Sequence, residues 1–534
     1  MKNLDDVEAN NNKTIVKENE EERDIVGIDL SKQKITRSQM IIIMLGLSLT
    51  LFIAALDNTV VSTSLTIITS EFNSLDQITW VAASYLLTST VLQPLYGKFS
   101  DIFGRKPTIL FALISFLIGS IVCGVAQNII ILIVFRAIAG IGGGGLISIA
   151  IIIISDMAPM QTRGIYMGIV GAIFALASVV GPLIGGAFSE GLSWRWAFYI
   201  NIPICVITIA IILFFLKLPK TNENFLKKFQ RIDYLGASSL IIANTCLVLA
   251  LNWGGKDYSW DSFRVVFTII IAVIMFAIFI IVEIRYAIEP IVPGYVLNRN
   301  TISANLVTFF NGFTLMVSLY YIPLYYQIIK GSSAIYAGLE LLPFLLGVIF
   351  ASIFSGIFAS KTGSYRVLPI VGTTLVLVGV ILFGTLLRTD ITRVEEILFT
   401  LIIGVGLGLC VQTNTIICQC AVEEKDVAIV TALVNFTQSL GSVLGLAVQG
   451  SVFSNILLNN LSKNLPAINT NMIISNAEEL RKLTSEQSII VSQAYIQAFK
   501  YLYYSLIGFQ VLAFVFSLFV KHIPFRKGSN ITVS

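Results

Sequence analysis

Long apolar runs alternate with short polar segments from about residue 40 to residue 520. Most runs have about the 20 residues that an α-helix needs to cross the core of a bilayer. The pattern therefore predicts membrane-spanning helices joined by loops. The runs cover residues 41–67, 78–97, 108–127, 129–154, 164–188, 194–216, 234–252, 265–284, 303–327, 335–358, 367–387, 394–418, 428–453 and 498–520, which makes fourteen.

The runs divide into six, two and six, which predicts an all-α membrane protein of two six-helix bundles with two extra central helices. The first 37 or so residues are polar and lack the apolar core of a signal peptide, so we predict a disordered tail there. The predicted segments are a tail (1–39), an N-terminal bundle (40–217), a linker with the extra helices (218–300), a C-terminal bundle (301–521) containing a long outer-face loop (454–497), and a second tail (522–534).

Basic residues predict the orientation of the chain. If the N-terminus is cytosolic, the segments on that side hold about twice as many Lys and Arg residues as the outer segments, which is the excess that cytosolic loops carry. An even number of spans places both ends of the chain on one side. We therefore expect a multi-pass membrane protein with both termini in the cytosol.

Composition supports a membrane protein and excludes other classes. Hydrophobic residues make up 56% of the chain and charged residues 12%, whereas soluble domains carry about 25% charged residues. The net charge of +4 is small and spread over loops, so no nucleic-acid partner is expected. The six cysteines lie in or beside apolar runs, where a thiol is most simply a small buried hydrophobe, and we predict neither a metal site nor a cofactor.

The absence of certain sequence motifs excludes some energy sources and functions. No GxxxxGK[ST] phosphate loop occurs, and no polar segment is long enough for an ATPase domain, which excludes pumping driven by ATP. No GxSxG elbow or paired catalytic acids favour an intramembrane enzyme. The one histidine, His522, follows the last run and cannot carry protons at mid-membrane. The expected energy source is therefore a proton gradient, with the protons carried by side chains other than histidine.

A short stretch of the first half recurs in the second. Residues 97–107 read GKFSDIFGRKP and residues 356–366 read GIFASKTGSYR, and Gly97 aligns with Gly356. The second copy is degraded, since Ser360 stands where the first has an aspartate. Two repeated halves with a site between them are typical of secondary transporters.

Several motifs resemble those of major facilitator transporters. GKFSDIFGRKP resembles the loop after their second span, RAIAGIGGGG at 136–145 their fourth-span motif, and GPLIGG at 181–186 their fifth-span antiporter motif. LDNTVV at 56–61 and WRWAFYINIP at 194–203 complete the pattern of the fourteen-span drug:proton antiporter family. TSTVLQPLYGKFSDIFGRKP is similar to the fungal branch that includes vacuolar basic amino acid transporters. The resemblance implies the major facilitator fold.

Asp57 and Arg136 are the candidates for proton coupling. A carboxylate inside the membrane is costly unless it is paired or lines a wet cavity. At about 1.5 Å per residue, both charges fall in the outer half of a core about 30 Å thick, so pairing across helices is feasible. The resemblance assigns Arg136 to proton coupling. The alternatives are a hydrogen-bonded structural role for Asp57 and a snorkelling or bundle-tying role for Arg136.

The loop after the second span is a candidate latch. An aspartate there can accept hydrogen bonds from an arginine or a helix N-terminus, while glycines permit a tight turn, so the contact can hold one state and break in another. A plain basic loop on the inner face is the alternative. The latch residues are Gly97, Asp101, Gly104, Arg105 and Lys106.

The antiporter motif lies late in span five. Glycine lets helices approach closely, and proline removes a backbone donor and bends the helix. The resemblance ties this motif to antiport by sealing against leak, and generic small-residue packing is the alternative. Its residues are Gly181, Pro182, Gly185 and Gly186.

Polar and aromatic side chains inside spans are candidate substrate contacts. Amides can bind the polar ends of a solute and aromatic faces can hold a cation, although interhelical hydrogen bonds would use the same residues. The candidates are Asn58, Trp80, Tyr85, Asn311, Gln412 and Asn414. Glu340, early in span ten, could reach a cavity or only the water at the headgroups.

Taken together, the sequence predicts a proton-coupled antiporter of small cationic solutes that works as a monomer in a lipid bilayer. The resemblance favours basic amino acids as substrates and the vacuolar membrane as the location. The alternative is a multidrug:proton exporter of the plasma membrane. A sensor without transport activity is disfavoured, because the loop after the second span keeps its complete motif and Asp57 is present.

Overall fold

A computed structural model describes residues 37–72, 78–158, 160–217, 225–255, 258–287, 289–332, 334–387, 391–464 and 485–523. Each predicted span coincides with a helix or with two consecutive helical pieces. Most of the two predicted tails, and the middle of the predicted outer-face loop, lie outside these residues.

The described residues contain fourteen long helical segments, numbered α1 to α14. In the first half they are α1 (Arg37–Glu71), α2 (Ile78–Phe103), α3 (Arg105–Gly124), α4 (Ile129–Met157), α5 (Met160–Gly191) and α6 (Trp196–Tyr199 and Asn201–Phe215). The inserted pair is α7 (Tyr234–Trp253) and α8 (Phe263–Arg285), preceded by a short helix, Phe225–Gln230. The second half holds α9 (Arg299–Ile329), α10 (Ala334–Glu340 and Leu342–Thr362), α11 (Val367–Leu386), α12 (Arg393–Cys420), α13 (Val427–Asn464) and α14 (Ser485–Leu518).

Thirteen of these segments are long and apolar enough to cross a membrane. The exception is α2, which is long but carries polar side chains such as Ser84, Thr88 and Gln93. The all-helical membrane fold is thus confirmed, while the count of fourteen crossings stays a prediction.

Several helices run beyond the predicted boundaries. α13 continues to Asn464 and α14 begins at Ser485, so helix replaces both ends of the predicted loop 454–497. A helix satisfies its own backbone hydrogen bonds, so it can continue past the apolar stretch into polar surroundings. α2 likewise runs to Phe103 and stops at Gly104, whose φ of 97° is a conformation that other residues rarely adopt.

The helices pack as two bundles. In the first half α4 packs against α2 and α3, and α1 against α5 and α6; in the second, α12 packs against α10 and α11, and α9 against α13 and α14. The halves meet along two seams, where α5 contacts α10 and α2 contacts α13. The inserted helices pack on each other, and α7 touches both α2 and α13. The insertion therefore braces one of the two seams.

The seam of α5 with α10 is tight at the end of the molecule where α1 begins and α14 ends, which we call the near face. The backbones of Gly164 on α5 and Gly356 on α10 touch there, and a Cβ on either residue would overlap the carbonyl oxygen of the other. One turn deeper, a Cβ on Gly168 would lie 2.9 Å from the Cα of Ile353. These glycines allow the halves to approach at backbone distance.

A buried polar network also joins the halves at the near face. Gln419 of α12 donates from Nε2 to the hydroxyl of Ser155 on α4, at 2.8 Å, and to that of Thr431 on α13, at 2.9 Å. Arg163 of α5 donates from Nη1 to Oε1 of Gln419, at 3.3 Å, and from Nη2 to the carbonyl of Ser155. We call these four residues the near-face lock. With the glycine contacts, they close the near face.

Candidate functional site

Asp57 and Arg136 form a buried ion pair between α1 and α4. Nη1 of Arg136 lies 2.5 Å from Oδ2 of Asp57, and the two side chains are 2% and 0% exposed. Asn201 of α6 donates from Nδ2 to Oδ1 of the carboxylate, at 3.0 Å. Both oxygens of Asp57 therefore have a hydrogen-bond donor, and the two predicted charges do face each other.

The rest of the Arg136 guanidinium is also held. Its Nε donates to the carbonyl oxygen of Val81, at 3.2 Å, and its central carbon lies 4.3 Å from the centre of the Tyr85 ring. A cation over an aromatic face is stabilised further when water is excluded. Removing one partner of such a pair leaves a buried charge and costs about 3–5 kcal/mol.

The glycines of α4 place Tyr85 beneath the ion pair. A Cβ on Gly143 would overlap the Tyr85 hydroxyl, and one on Gly140 would overlap the backbone of Tyr85 and the side chain of Thr88. Thr88 also donates to the carbonyl of Ala137 on α4, at 2.8 Å. The glycine-rich stretch after Arg136 thus packs α2 closely against α4.

The antiporter motif holds α5 against α1 beside Asp57. A Cβ on Gly181 would overlap the side chain of Thr59, two residues after the carboxylate, and Thr59 donates across to the carbonyl of Ala177, at 3.3 Å. Gly185 is buried. The surroundings of Pro182 and Gly186 lie outside what the structure describes.

The charges of the predicted latch bind within the first half. Arg105 pairs with Asp101 and also with Asp156 at the end of α4, where its Nε lies 2.9 Å from Oδ2. Lys106 donates to the carbonyls of Leu213 and Leu216 at the end of α6, both at 2.8 Å.

Contact with the second half comes from the first glycine of the latch. A Cβ on Gly97 would lie 2.9 Å from the Cβ of Ala432 on α13. Gly104, at the other end of the motif, separates α2 from α3 with its positive φ.

Two of the six candidate substrate residues lie together. Asn311 of α9 and Asn414 of α12 line a narrow cleft inside the second half, where Asn414 donates to the hydroxyl of Thr308, at 3.1 Å. Asn311 is buried, and its amide has no hydrogen-bond partner in the described part of the chain, although Cys410 lies next to it. The full lining is Thr308, Asn311, Gly312, Leu315, Val411, Asn414 and Gln438.

The other four candidates lie apart from this cleft. Asn58 donates back to the carbonyl of Ala54 on its own helix, at 3.1 Å. Trp80 packs edge-to-face on Trp253 of α7, with ring centroids 6.3 Å apart, which places it against the insertion.

Tyr85 supports Arg136 as described, so its ring is already occupied by an internal cation. Gln412 faces α5, since its amide nitrogen would lie 3.1 Å from a Cβ on Gly171. The structure thus does not bring the six predicted contacts into one site.

Several residues of the site were not singled out from the sequence. Asn201 stands in the motif WRWAFYINIP, and an amide entering an apolar run is the signal that could have found it. Asp156 and Arg163 are charges at the ends of apolar runs, where charges are common. Gln419 has no sequence signal beyond its polarity.

The chain resembles known transporters over most of its length. The family model described as Major Facilitator Superfamily matches residues 47–446. Multidrug resistance protein 3 of Bacillus subtilis is 37% identical over 421 residues, which cover 79% of this chain and 81% of that protein. The MFS-type efflux pump MFS1 of Arthroderma benhamiae is 35% identical over 459 residues, or 85% of each chain. Efflux pump roqT of Penicillium rubens is 33% identical over 513 residues, or 95% of each chain.

A solved structure supports the fold. The proton:xylose symporter XylE superposes with a TM-score of 0.60, over 93% of this chain and 99% of that one, at 14% sequence identity. At such low identity the likeness shows the arrangement of helices and carries nothing about substrate.

Proposed function

Since the chain belongs to the Major Facilitator Superfamily, whose members are membrane transporters and not enzymes, we propose that it exports small molecules in exchange for protons. The observation that carries this proposal is the buried pair of Asp57 and Arg136, which joins two helices that are each long and apolar enough to span the membrane. A carboxylate within such a helix is by default a functional group.

The relatives favour export over the uptake of amino acids into a vacuole. The three similar proteins named above are called efflux pumps or a multidrug resistance protein. Import of basic amino acids, which the sequence resemblance favours, has no support among them. The alternative prediction, an exporter, is therefore the better supported.

The chemistry of the cleft agrees with the export of mostly apolar molecules. Its polar lining consists of amides and a hydroxyl, and its other lining residues are apolar. A basic amino acid carries an ammonium, a carboxylate and a charged side chain, and each of these needs a charged or fully hydrogen-bonded partner when it leaves water. Amides and apolar groups instead suit a mostly apolar solute with a few polar atoms.

Protonation of Asp57 would loosen the contact between α1 and α4. A neutral carboxyl loses the charge attraction of Arg136 but keeps its neighbour Asn201. The guanidinium would then keep the Val81 carbonyl and the rings of Tyr85 and Phe198 as its other contacts. Release of the proton restores the pair, so the proton can bias which arrangement of the first half is stable.

We place the near face in the cytosol and the exporter in the plasma membrane, as a monomer. Basic residues at the near-face ends of helices support this orientation, because cytosolic loops carry excess Lys and Arg. They are Lys98, Arg105, Lys106, Arg163, Arg299 and Lys361.

The test uses purified protein in liposomes with an imposed pH gradient. A cationic dye, ethidium, is the probe, and radiolabelled lysine, arginine and histidine are tested beside it. We expect the wild type to transport ethidium in exchange for protons and not to transport the amino acids. Gradient-driven uptake of lysine without movement of dye would overturn the proposal in favour of amino acid transport.

The role of Asp57 is tested with the double variant Asp57→Asn/Arg136→Gln, which removes both charges and leaves no unpaired buried ion. We expect it to lose uptake driven by the pH gradient but to keep the exchange of labelled for unlabelled ethidium, which needs no net proton movement. Undiminished gradient-driven uptake would refute the assignment. Gly508→Ala, at a site where a Cβ meets nothing within 4 Å, is the control for effects of purification and reconstitution.

A further inference from the structure

The second half contains a buried ion pair of its own, at the end of the molecule opposite the near face, which we call the far face. Glu396, in the first turn of α12, has a side chain that is 0% exposed. Its Oε1 lies 2.8 Å from Nζ of Lys330, which follows the last residue of α9. The same oxygen accepts a hydrogen bond from the hydroxyl of Tyr325 on α9, at 2.7 Å.

This pair joins the same two helices of its half as the pair of Asp57 and Arg136, but with the charges exchanged. In the first half the acid lies on the first helix and the cation on the fourth. In the second half the cation follows the first helix, α9, and the acid lies on the fourth, α12. Each half is thus tied between equivalent helices by one charge pair.

The two acids differ in how their oxygens are satisfied. Both oxygens of Asp57 have donors, whereas Oε2 of Glu396 is buried and has no hydrogen-bond partner among the described residues. Leaving a charged oxygen buried without a donor is unfavourable. A proton on Oε2 would remove that charge, so Glu396 has a place for a proton that Asp57 lacks in this state.

Charged and titratable side chains of four helices lie around this ion pair. Tyr325 and Lys330 contact Glu396 directly, and Tyr326 of α9 lies close to it. The charged or titratable groups close to Tyr326 in turn are Glu340 of α10, Arg393 of α12 and Tyr503 of α14.

The pair has a connection to water at the far face. The Lys330 side chain is 18% exposed, and its ammonium also donates to the carbonyl of Ile391, at 3.2 Å. Glu340 accepts from Ser332, at 2.9 Å, and lies 3.6 Å from the largely exposed Arg393. Lys330 thus brings the ion pair to the far-face surface, where Glu340 and Arg393 complete a charged rim.

We propose that Glu396 is a second proton-binding carboxylate, which takes a proton from the far face and thereby releases Lys330. The proton bonds to Oε2, the carboxylate becomes a neutral acid, and Lys330 keeps its own proton and turns to solvent. Tyr325 remains hydrogen-bonded to Oε1. The ion pair between α9 and α12 is then lost at the far face, which leaves the Tyr325 hydrogen bond as the remaining link. The net charge of Glu396 and Lys330 together rises by that of the added proton.

Proton binding itself is tested by infrared difference spectroscopy of the purified full-length protein on acidification. The wild type should show a carbonyl band from a newly protonated carboxylic acid. We expect that band to be lost in Glu396→Gln and in Glu396→Gln/Lys330→Met, which leaves no unpaired cation if the single variant folds poorly. Glu340→Gln, in the same rim, should keep it. A band that persists in both Glu396 variants would overturn the proposal.

The consequence for transport rests on the proposed function and is measured separately. In liposomes, the double variant should move fewer protons per ethidium than the wild type and should lose the dependence of transport on far-side pH. If the wild type couples ethidium to protons and the double variant matches it in both respects, the second site is refuted and the exporter stands. If the wild type shows no coupling, the proposed function fails, and the infrared band still decides whether Glu396 binds a proton.

Discussion

The contact between Gly164 and Gly356 allows a direct test of how the near face closes. The substitution Gly356→Ala adds a Cβ that would overlap the carbonyl oxygen of Gly164. Overpacking of this kind costs about 1–3 kcal/mol. The cost falls on the closed near face alone, because the two backbones touch across the seam between the halves. A difference of 1–3 kcal/mol shifts an equilibrium about 5- to 150-fold, here toward an open near face.

The shift can be read as a distance between the halves. Spin labels on cysteines introduced at Thr162 and Lys361, which are exposed at the near-face ends of α5 and α10, report the separation of these helices. Cys246, the native cysteine that is not buried among the described residues, is replaced by serine. In Gly356→Ala we expect the population with a long separation to grow at the expense of the short one.

A matched control separates packing from helix propensity. Alanine is favoured over glycine within a helix by about 0.5–1 kcal/mol, and this gain applies to both states. Gly508→Ala has the same gain, but its Cβ meets nothing within 4 Å, so its distances should equal those of the parent. Equal distance distributions for Gly356→Ala and the parent would show that the glycine contact does not hold the near face closed.

Two further predictions concern stability. Burial raises the pKa of Glu289, but hydrogen bonds from Arg231 and Lys98 outweigh it and hold the pKa below its ordinary value of 4.5. The ion pairs of Glu289 therefore stabilise the fold above pH 4.5. That contribution is lost as the pH falls through the lowered pKa. Glu289→Gln should lower the melting temperature at pH 7 and match the wild type at a pH below the lowered pKa, and equal melting curves at pH 7 would contradict this. A Cβ on Gly142 would lie 2.5 Å from the backbone of α3. Gly142→Ala should therefore lower the free energy of unfolding by about 1–3 kcal/mol and lower the melting temperature, whereas Gly508→Ala should not. A wild-type melting curve for Gly142→Ala would show that α3 and α4 can separate freely.

The positions of the helices could be predicted because the bilayer imposes a simple rule on the sequence. Apolar runs of sufficient length mark spans, and the structure has a helix at each of them. Depth along two such runs also predicted that Asp57 and Arg136 could meet. Helix ends were less predictable, since α13 and α14 continue beyond the residues that hydropathy marks.

The side chains that share a site could not be read from the sequence in the same way. Gln412 and Asn414 are two residues apart, and positions with that spacing do not share a helix face; accordingly Asn414 lines the cleft while Gln412 faces α5. Polarity alone does not separate a residue that binds a solute from one that bonds to a neighbouring helix. The burial of Glu396 has no signal in the sequence, because this residue lies near the start of an apolar run, where an acid normally reaches headgroup water.

The inserted helices change what the lipid can reach. The two halves are related by a repeat, so the seam of α2 with α13 and the seam of α5 with α10 would be equivalent without the insertion. Because α7 lies against both α2 and α13, the first seam is covered, whereas the glycine-rich seam of α5 with α10 has no such cover among the described helices. A molecule dissolved in the bilayer thus meets two unequal flanks, one covered by α7 and one where α5 and α10 themselves face the lipid.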